Sequence, residues 1–314
     1  MKRLAISTLT LTCLFLYSCD GVKEKAHNTE TFQALSLLGD SLMVPNRTEA
    51  QESRLIENLK LAQADYDKEV TEMNTIWLGR RYAYLYDYKK AIDVFTEGIG
   101  RFPESYKLHR HRGHRHISIR AFSKAIIDFE KAYSLMPKDI QETEPDGAPN
   151  KLNIPLSNTQ FNVLYHLGLA NYLKGKFSHA AIIYKECMKY SGNPDLQVAT
   201  ADWLYMSLRR QGETEEAQAF LETIDLSMEI IENDSYLKRL KMYKGELPAA
   251  DLLKESGDDV ALSLATQGYG LGNWYLYEGD TTKAIEIFER VVDGTSWSAF
   301  GYIAAEAELK RLRK

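Results

Sequence analysis

The chain has 314 residues, 44% hydrophobic and 26% charged, with 19 Tyr and only 8 Pro; this is globular composition and excludes disordered, collagenous and disulfide-knotted chains. The formal net charge of −5 offers no basic excess for wrapping nucleic acid, so partner electrostatics must be local. Length alone suggests about two domains, a count that a repeat array would make meaningless.

The N-terminus carries Lys2 and Arg3, an uncharged run over residues 4–17, and then Leu16-Tyr17-Ser18-Cys19. The run is too short to span about 30 Å of hydrocarbon and fits a secretory signal over residues 1–18. Its ending resembles the lipobox of bacterial lipoproteins, which implies cleavage before Cys19 and acylation of that cysteine. Two or three acyl chains anchor stably where one does not. The expectation is a protein of the bacterial cell envelope, lipid-anchored and facing the periplasm or exterior. Cys13 would leave with the signal and Cys19 would be lipidated, leaving Cys187 with no disulfide partner. Losing Lys2 and Arg3 moves the formal charge from −5 to −7. Residues 19–48 are expected to serve as lipid anchor and tether, and residues 49–71 as an N-terminal capping helix with Leu55, Leu59 and Ala62 on one stripe.

From there the chain repeats. Gly79, Tyr82, Ala91, Phe95, Gly98 and Pro103 are matched 34 residues on by Gly113, His116, Ala125, Phe129, Ala132 and Pro137. Gly168, Ala180 and Tyr184 follow after one period plus 21 residues. A fourth copy has Leu204, Leu208, Gly212, Ala217 and Leu221. A fifth, degenerate copy keeps Gly245, Pro248 and Ala250 but has Lys254 at the aromatic site. The last has Leu271, Gly272, Tyr275, Gly279, Ala284 and Phe288. The pattern resembles the tetratricopeptide repeat (TPR), a helix-turn-helix unit with small residues at the helix contact and an aromatic filling the gap. The resemblance covers residues 72–298. It implies an all-α right-handed superhelix: repeats 1–2 over 72–139, an inserted loop over 140–160, repeats 3–6 over 161–298, and a C-terminal capping helix over 299–314.

In such repeats the first helices line a concave groove that takes a protein or peptide. The corresponding positions here include Ile76, Arg80, Tyr84, Arg110, His114 and Ser118; Tyr165, Leu169 and Leu173; Asp202, Met206 and Arg210; Tyr269, Asn273 and Tyr277. Arginine and aromatics dominate, which favours an acidic or polar peptide. The competing reading has these tyrosines packed on neighbouring helices and the arginines solvated. Residues 109–116 read His-Arg-His-Arg-Gly-His-Arg-His. His111 and His114 share a helical face, but Arg110, Arg112 and Arg115 would repel a cation, so no metal is expected. An anion site competes with ion pairs to acids elsewhere in the fold. The insertion offers such acids: Glu144 or Asp146 is expected near the basic cluster, narrowing the groove.

Catalytic motifs are absent from the sequence: there is no Gly-x-Ser-x-Gly, phosphate loop or His-Glu-x-x-His, and Gly268, Gly270 and Gly272 follow no strand. Cys187 falls at a helix-packing site, and Glu215-Glu216 and Asp258-Asp259 read as solvated surface. A non-enzymatic scaffold without cofactor is expected. The alternatives are a hydrolase centred on His114 and Arg110 with acids from the insertion, or a glycan-binding lipoprotein, although Trp77, Trp203, Trp274 and Trp297 are dispersed.

Overall fold

The computed structural model describes residues 32–145, 147, 150–254 and 260–313. The signal, Cys19, Asp146 and the Asp258-Asp259 pair lie outside the described residues. Within them the chain forms a short β-hairpin and thirteen α-helices.

The hairpin pairs β1 (Phe32–Leu35) antiparallel with β2 (Ser41–Met43), where a tether had been expected. Gly39 takes a φ of +102° in the turn, and the Ser36 hydroxyl accepts hydrogen bonds from the Leu38 and Asp40 amides. Gln33 and Leu42 are buried while their neighbours face out, which seats one face of the hairpin on the helices. Thr48 then caps α1 (Glu49–Lys68) through a reciprocal capping box with Gln51.

Helix pairs follow: α2 (Glu72–Tyr84) with α3 (Tyr88–Arg101), α4 (Tyr106–Ser118) with α5 (Phe122–Leu135), α6 (Thr159–Leu173) with α7 (Phe177–Cys187), and α8 (Pro194–Gln211) with α9 (Thr214–Glu222). Ala91, Ala125, Ala180, Ala217 and Ala284 are fully buried where paired helices meet. In four units an aromatic ring of the second helix lies on a glycine of the first: Phe95 on Gly79, Phe129 on Gly113, Tyr184 on Gly168 and Phe288 on Gly272. A Cβ at Gly79 would sit 2.3 Å from the Phe95 ring, so the helices could not approach as they do. The fifth unit has α10 (Asp234–Tyr243) followed by a single 3-10 turn over Ala249–Asp251 in place of a second long helix. With that helix missing, α11 (Val260–Tyr277), which pairs with α12 (Thr281–Val292), packs against α8 as well as α10.

The last helix, α13 (Phe300–Leu312), was expected to present one apolar face; residues 301–309 are instead buried all round, including Glu306 and Glu308. It packs on α11 and α12 and reaches α6. Glu306 takes a bidentate ion pair from Arg120 at 2.6 and 3.0 Å and a bond from the Leu37 amide in the hairpin. Glu308 pairs with Arg210 and Arg311, and Arg311 also donates to the Leu173 carbonyl. The C-terminus is thereby fastened to the hairpin and to the second, third and fourth units.

The turns inside the helix pairs show how this was built in. The left-handed turn position holds glycine in later units, Gly175, Gly212, Gly245 and Gly279, but Tyr86 (φ 65°) and Arg120 (φ 63°) in the first two. A large residue there costs on the order of 1–3 kcal/mol. Both side chains hold the C-terminal segment: Tyr86 lies 5.3 Å from the Trp297 ring and accepts from Ser298, and Arg120 grips Glu306 and the Trp297 carbonyl.

Candidate functional site

Helix α4 carries the basic run, and its arginines separate by environment. Arg112 forms a two-pronged pair with Asp128 of α5 at 2.6 and 2.9 Å, and His109 shares the same carboxylate. Burial pushes the Asp128 carboxyl upward, but hydrogen bonds from His109 and Arg112 hold it below its ordinary value. Arg110 is buried, pairs with Glu144 at 3.0 Å and donates to His111 Nδ1. Burial brings the Arg110 guanidinium down to about 10, against the raising effect of Glu144.

Glu144 reaches this position because the segment between α5 and α6 docks across the first helices. Its amide bonds the Ser157 carbonyl, its carboxylate accepts from Asn162 on α6, and Arg80 on α2 donates to the Pro145 carbonyl at 2.7 Å. Gly147 presses against the Tyr84 hydroxyl so closely that a Cβ there would overlap it. Arg80, Tyr84 and Arg110 are therefore brought together under the segment that carries Glu144.

The other projected groove residues form a second, internal group. Tyr269 and Asn273 are fully buried and bond the Tyr172 hydroxyl at 2.7 and 3.1 Å, and Arg210 joins Asn273 to Glu308. Tyr165 is buried against α10, its hydroxyl 3.0 Å from that of Tyr236. Arg209 lies over the half-buried Tyr277 ring. These side chains occupy contacts among α6, α8, α10, α11 and α13. His114 packs 4.4 Å from the His166 ring and 5.4 Å from Phe300, while Arg110 turns to Glu144, so the two residues of the hydrolase alternative do not converge. Burial and neighbouring arginines hold His111, His114 and His166 well below the ordinary imidazole value. Burial pushes the Cys187 thiol up to about 12, an unreactive state. Trp203 and Trp297 are buried in separate contacts and form no joint platform.

Two of the cavities have arginines on their walls. The outer one, about 540 Å³, lies between α1, α2 and the segment before α13, and is lined by Arg47, Arg54, Arg81, Tyr84 and Tyr86. Among the described residues no carboxylate lines it, and none of its three arginines has an acidic partner. Arg47 lies over Tyr86 with a buried, unpaired Nη2; Arg81 lies over Trp77. Burial lowers the Arg81 pKa, and nearby Arg80 and Arg54 lower it further. The inner cavity, about 310 Å³, is bounded by α4, α8, α10, α11 and the start of α13, with His114 and Arg115 on its wall. Arg47, Arg54 and Arg81 were missed because no groove position of the repeat pattern contains them.

The sequence pattern of the tetratricopeptide repeat family matches residues 269–298, the sixth unit. No curated protein matches. Among solved structures, YrrB, described as a TPR protein with an unusual peptide-binding site, is 13% identical, with 75% of this chain and 92% of that one covered and a TM-score of 0.43. A tetratricopeptide repeat protein from Parabacteroides merdae is 12% identical over 81% of this chain and 94% of its own, with a TM-score of 0.47. MamA of AMB-1 is 17% identical over 56% and 90%, with a TM-score of 0.40. The architecture is an all-α helical solenoid of the tetratricopeptide type, to which a two-stranded hairpin is added.

Proposed function

We propose that this chain is a membrane-anchored scaffold of the bacterial cell envelope, tethered through Cys19, that binds an acidic segment of a partner protein at the outer cavity. The observation that carries this reading is the set of three arginines, Arg47, Arg54 and Arg81, lining an open cavity without a carboxylate among the described residues. Arginine beside tyrosine recognises carboxylates by paired hydrogen bonds and covers apolar stems with a ring. Arg80 and Arg110, projected as ligand contacts, are engaged by Pro145 and Glu144, so the free positive charge lies nearer α1.

The test is titration of the full chain in detergent with a glutamate-rich decapeptide and a lysine-rich one of equal length. Only the acidic peptide should bind, with affinity falling as salt rises, and Arg54→Glu with Arg81→Glu should abolish binding. Equal binding of both peptides, or an unaffected double variant, would reject the site. Anchoring is tested separately: Cys19→Ser should release the protein from the membrane fraction and stop fatty-acid labelling.

A further inference from the structure

The inner cavity is what remains of the concave face after α11 closes on α8 and the C-terminal segment crosses in front. Its lining combines four aromatic residues, Tyr88, Trp203, Tyr236 and Phe300, with two guanidinium groups, Arg115 and Arg239. The Arg115 side chain, unlike those of Arg110 and Arg112 on the same helix, has no hydrogen bond or acidic partner among the described residues; its guanidinium lies 5.2 Å from the Tyr88 ring, with Tyr84 and Arg80 also acting on it. Arg239 pairs with Asp202 behind the wall and donates to the Thr266 carbonyl, yet its Nε is buried with no acceptor, as is Trp203 Nε1. No Asp or Glu lines the cavity among the described residues. The site therefore offers donors and positive charge on one part of its wall and ring faces on the rest.

We propose that the inner cavity binds a small organic anion, a carboxylate or phosphate head group on an aromatic or apolar body, with Arg115 as its principal charged contact. Burial lowers the Arg115 pKa with no carboxylate to offset it, so the bare cavity keeps a cation at a cost that a bound anion would cancel. A volume near 310 Å³ lies at the small end of ligand cavities. A peptide chain threading the same space would have to displace Ser298, Ala299, Phe300 and Gly301, which wall it. The inference concerns a different cavity and different arginines from those of the peptide site, so the two stand or fall separately.

The experiment is calorimetric titration and thermal unfolding of the full chain in detergent with benzoate, phenyl phosphate, benzyl alcohol and inorganic phosphate. Benzoate or phenyl phosphate should bind, and the stronger of the two identifies the head group. Benzyl alcohol, which lacks the charge, and inorganic phosphate, which lacks the body, should each bind weaker by about tenfold or more, the difference that one charge-assisted hydrogen bond supplies. Arg115→Met should reduce binding of the aromatic anion by about tenfold or more while leaving the unliganded Tm unchanged or higher. Leu262→Trp narrows the cavity from a largely exposed position and should block binding without unfolding the protein. Benzyl alcohol binding as well as benzoate, or Arg115→Met lowering Tm with affinity intact, would overturn the proposal. Failure of both aromatic anions to bind would do the same.

Discussion

Arg112 and Arg115 lie three residues apart on one helix and end in opposite situations. Arg112 is held in a fixed fork by Asp128, while Arg115 faces a cavity with the Tyr88 ring beside it and, among the described residues, no carboxylate. The same contrast separates Arg110 and Arg120, each gripped by a buried glutamate, from Arg47, Arg54 and Arg81, which have none among the described residues. Charge density along the chain is therefore a poor guide to binding. What distinguishes a structural arginine from an available one is whether a distant acid reaches it.

The sharpest way to break this comparison is to remove an acid from a gripped arginine. Glu306→Ala leaves Arg120 buried without its counter-charge and also frees the Leu37 amide; the loss should be about 3–5 kcal/mol in urea unfolding. A loss below about 1 kcal/mol would place Arg120 with the available group. Acidification comes next. Above about pH 7.5 the buried histidines are neutral in both folded and unfolded chains, so they contribute nothing to pH dependence there. Below it the unfolded chain takes up protons that folded His111, His114, His116 and His166 refuse, so stability must fall as pH drops. Each histidine contributes about 1.4 kcal/mol per pH unit until its folded value is passed, near 4 for His116. A stability profile flat between pH 6.5 and 5 would contradict their burial.

Asp128→Asn is a milder test, because Arg112 keeps some access to water; about 1–3 kcal/mol should be lost. Smallest of all is Arg54→Ala, which should change stability by no more than about 0.5 kcal/mol while weakening the acidic peptide. If it destabilises the protein as Glu306→Ala does, the division between the two kinds of arginine fails.

The repeat architecture was legible because its signals are local. Gly79 with Phe95, and Gly113 with Phe129, are contacts within one helix pair, so a fixed spacing records them directly. Lys254 stands at the aromatic position of the fifth copy, where the chain makes a 3-10 turn over Ala249–Asp251. A long-range contact was not legible: Tyr269 and Asn273 occupy groove positions by spacing, yet pack on Tyr172, about a hundred residues earlier, where α11 meets α6. Nothing in the repeat spacing marks Glu306 and Glu308 as buried. Their partners Arg120 and Arg210 lie too far back for periodicity to register. Sequence spacing did place Glu144 as a candidate for the basic cluster, since an insertion rich in acid and turn residues returns beside the helices it interrupts.

An open solenoid frays: its terminal units unravel first, and each neighbour follows with little memory of the far end. The bonds from Glu306 to Arg120 and Leu37 join residues 186 and 269 positions apart, turning a linear stack into a closed loop. Such a chain should trade independent unit-by-unit melting for a single transition, with the slow step being capture of the last helix once the rest has formed. Native-state hydrogen exchange would then show α4 and α13 opening together, as one cooperative element made from the second unit and the last helix.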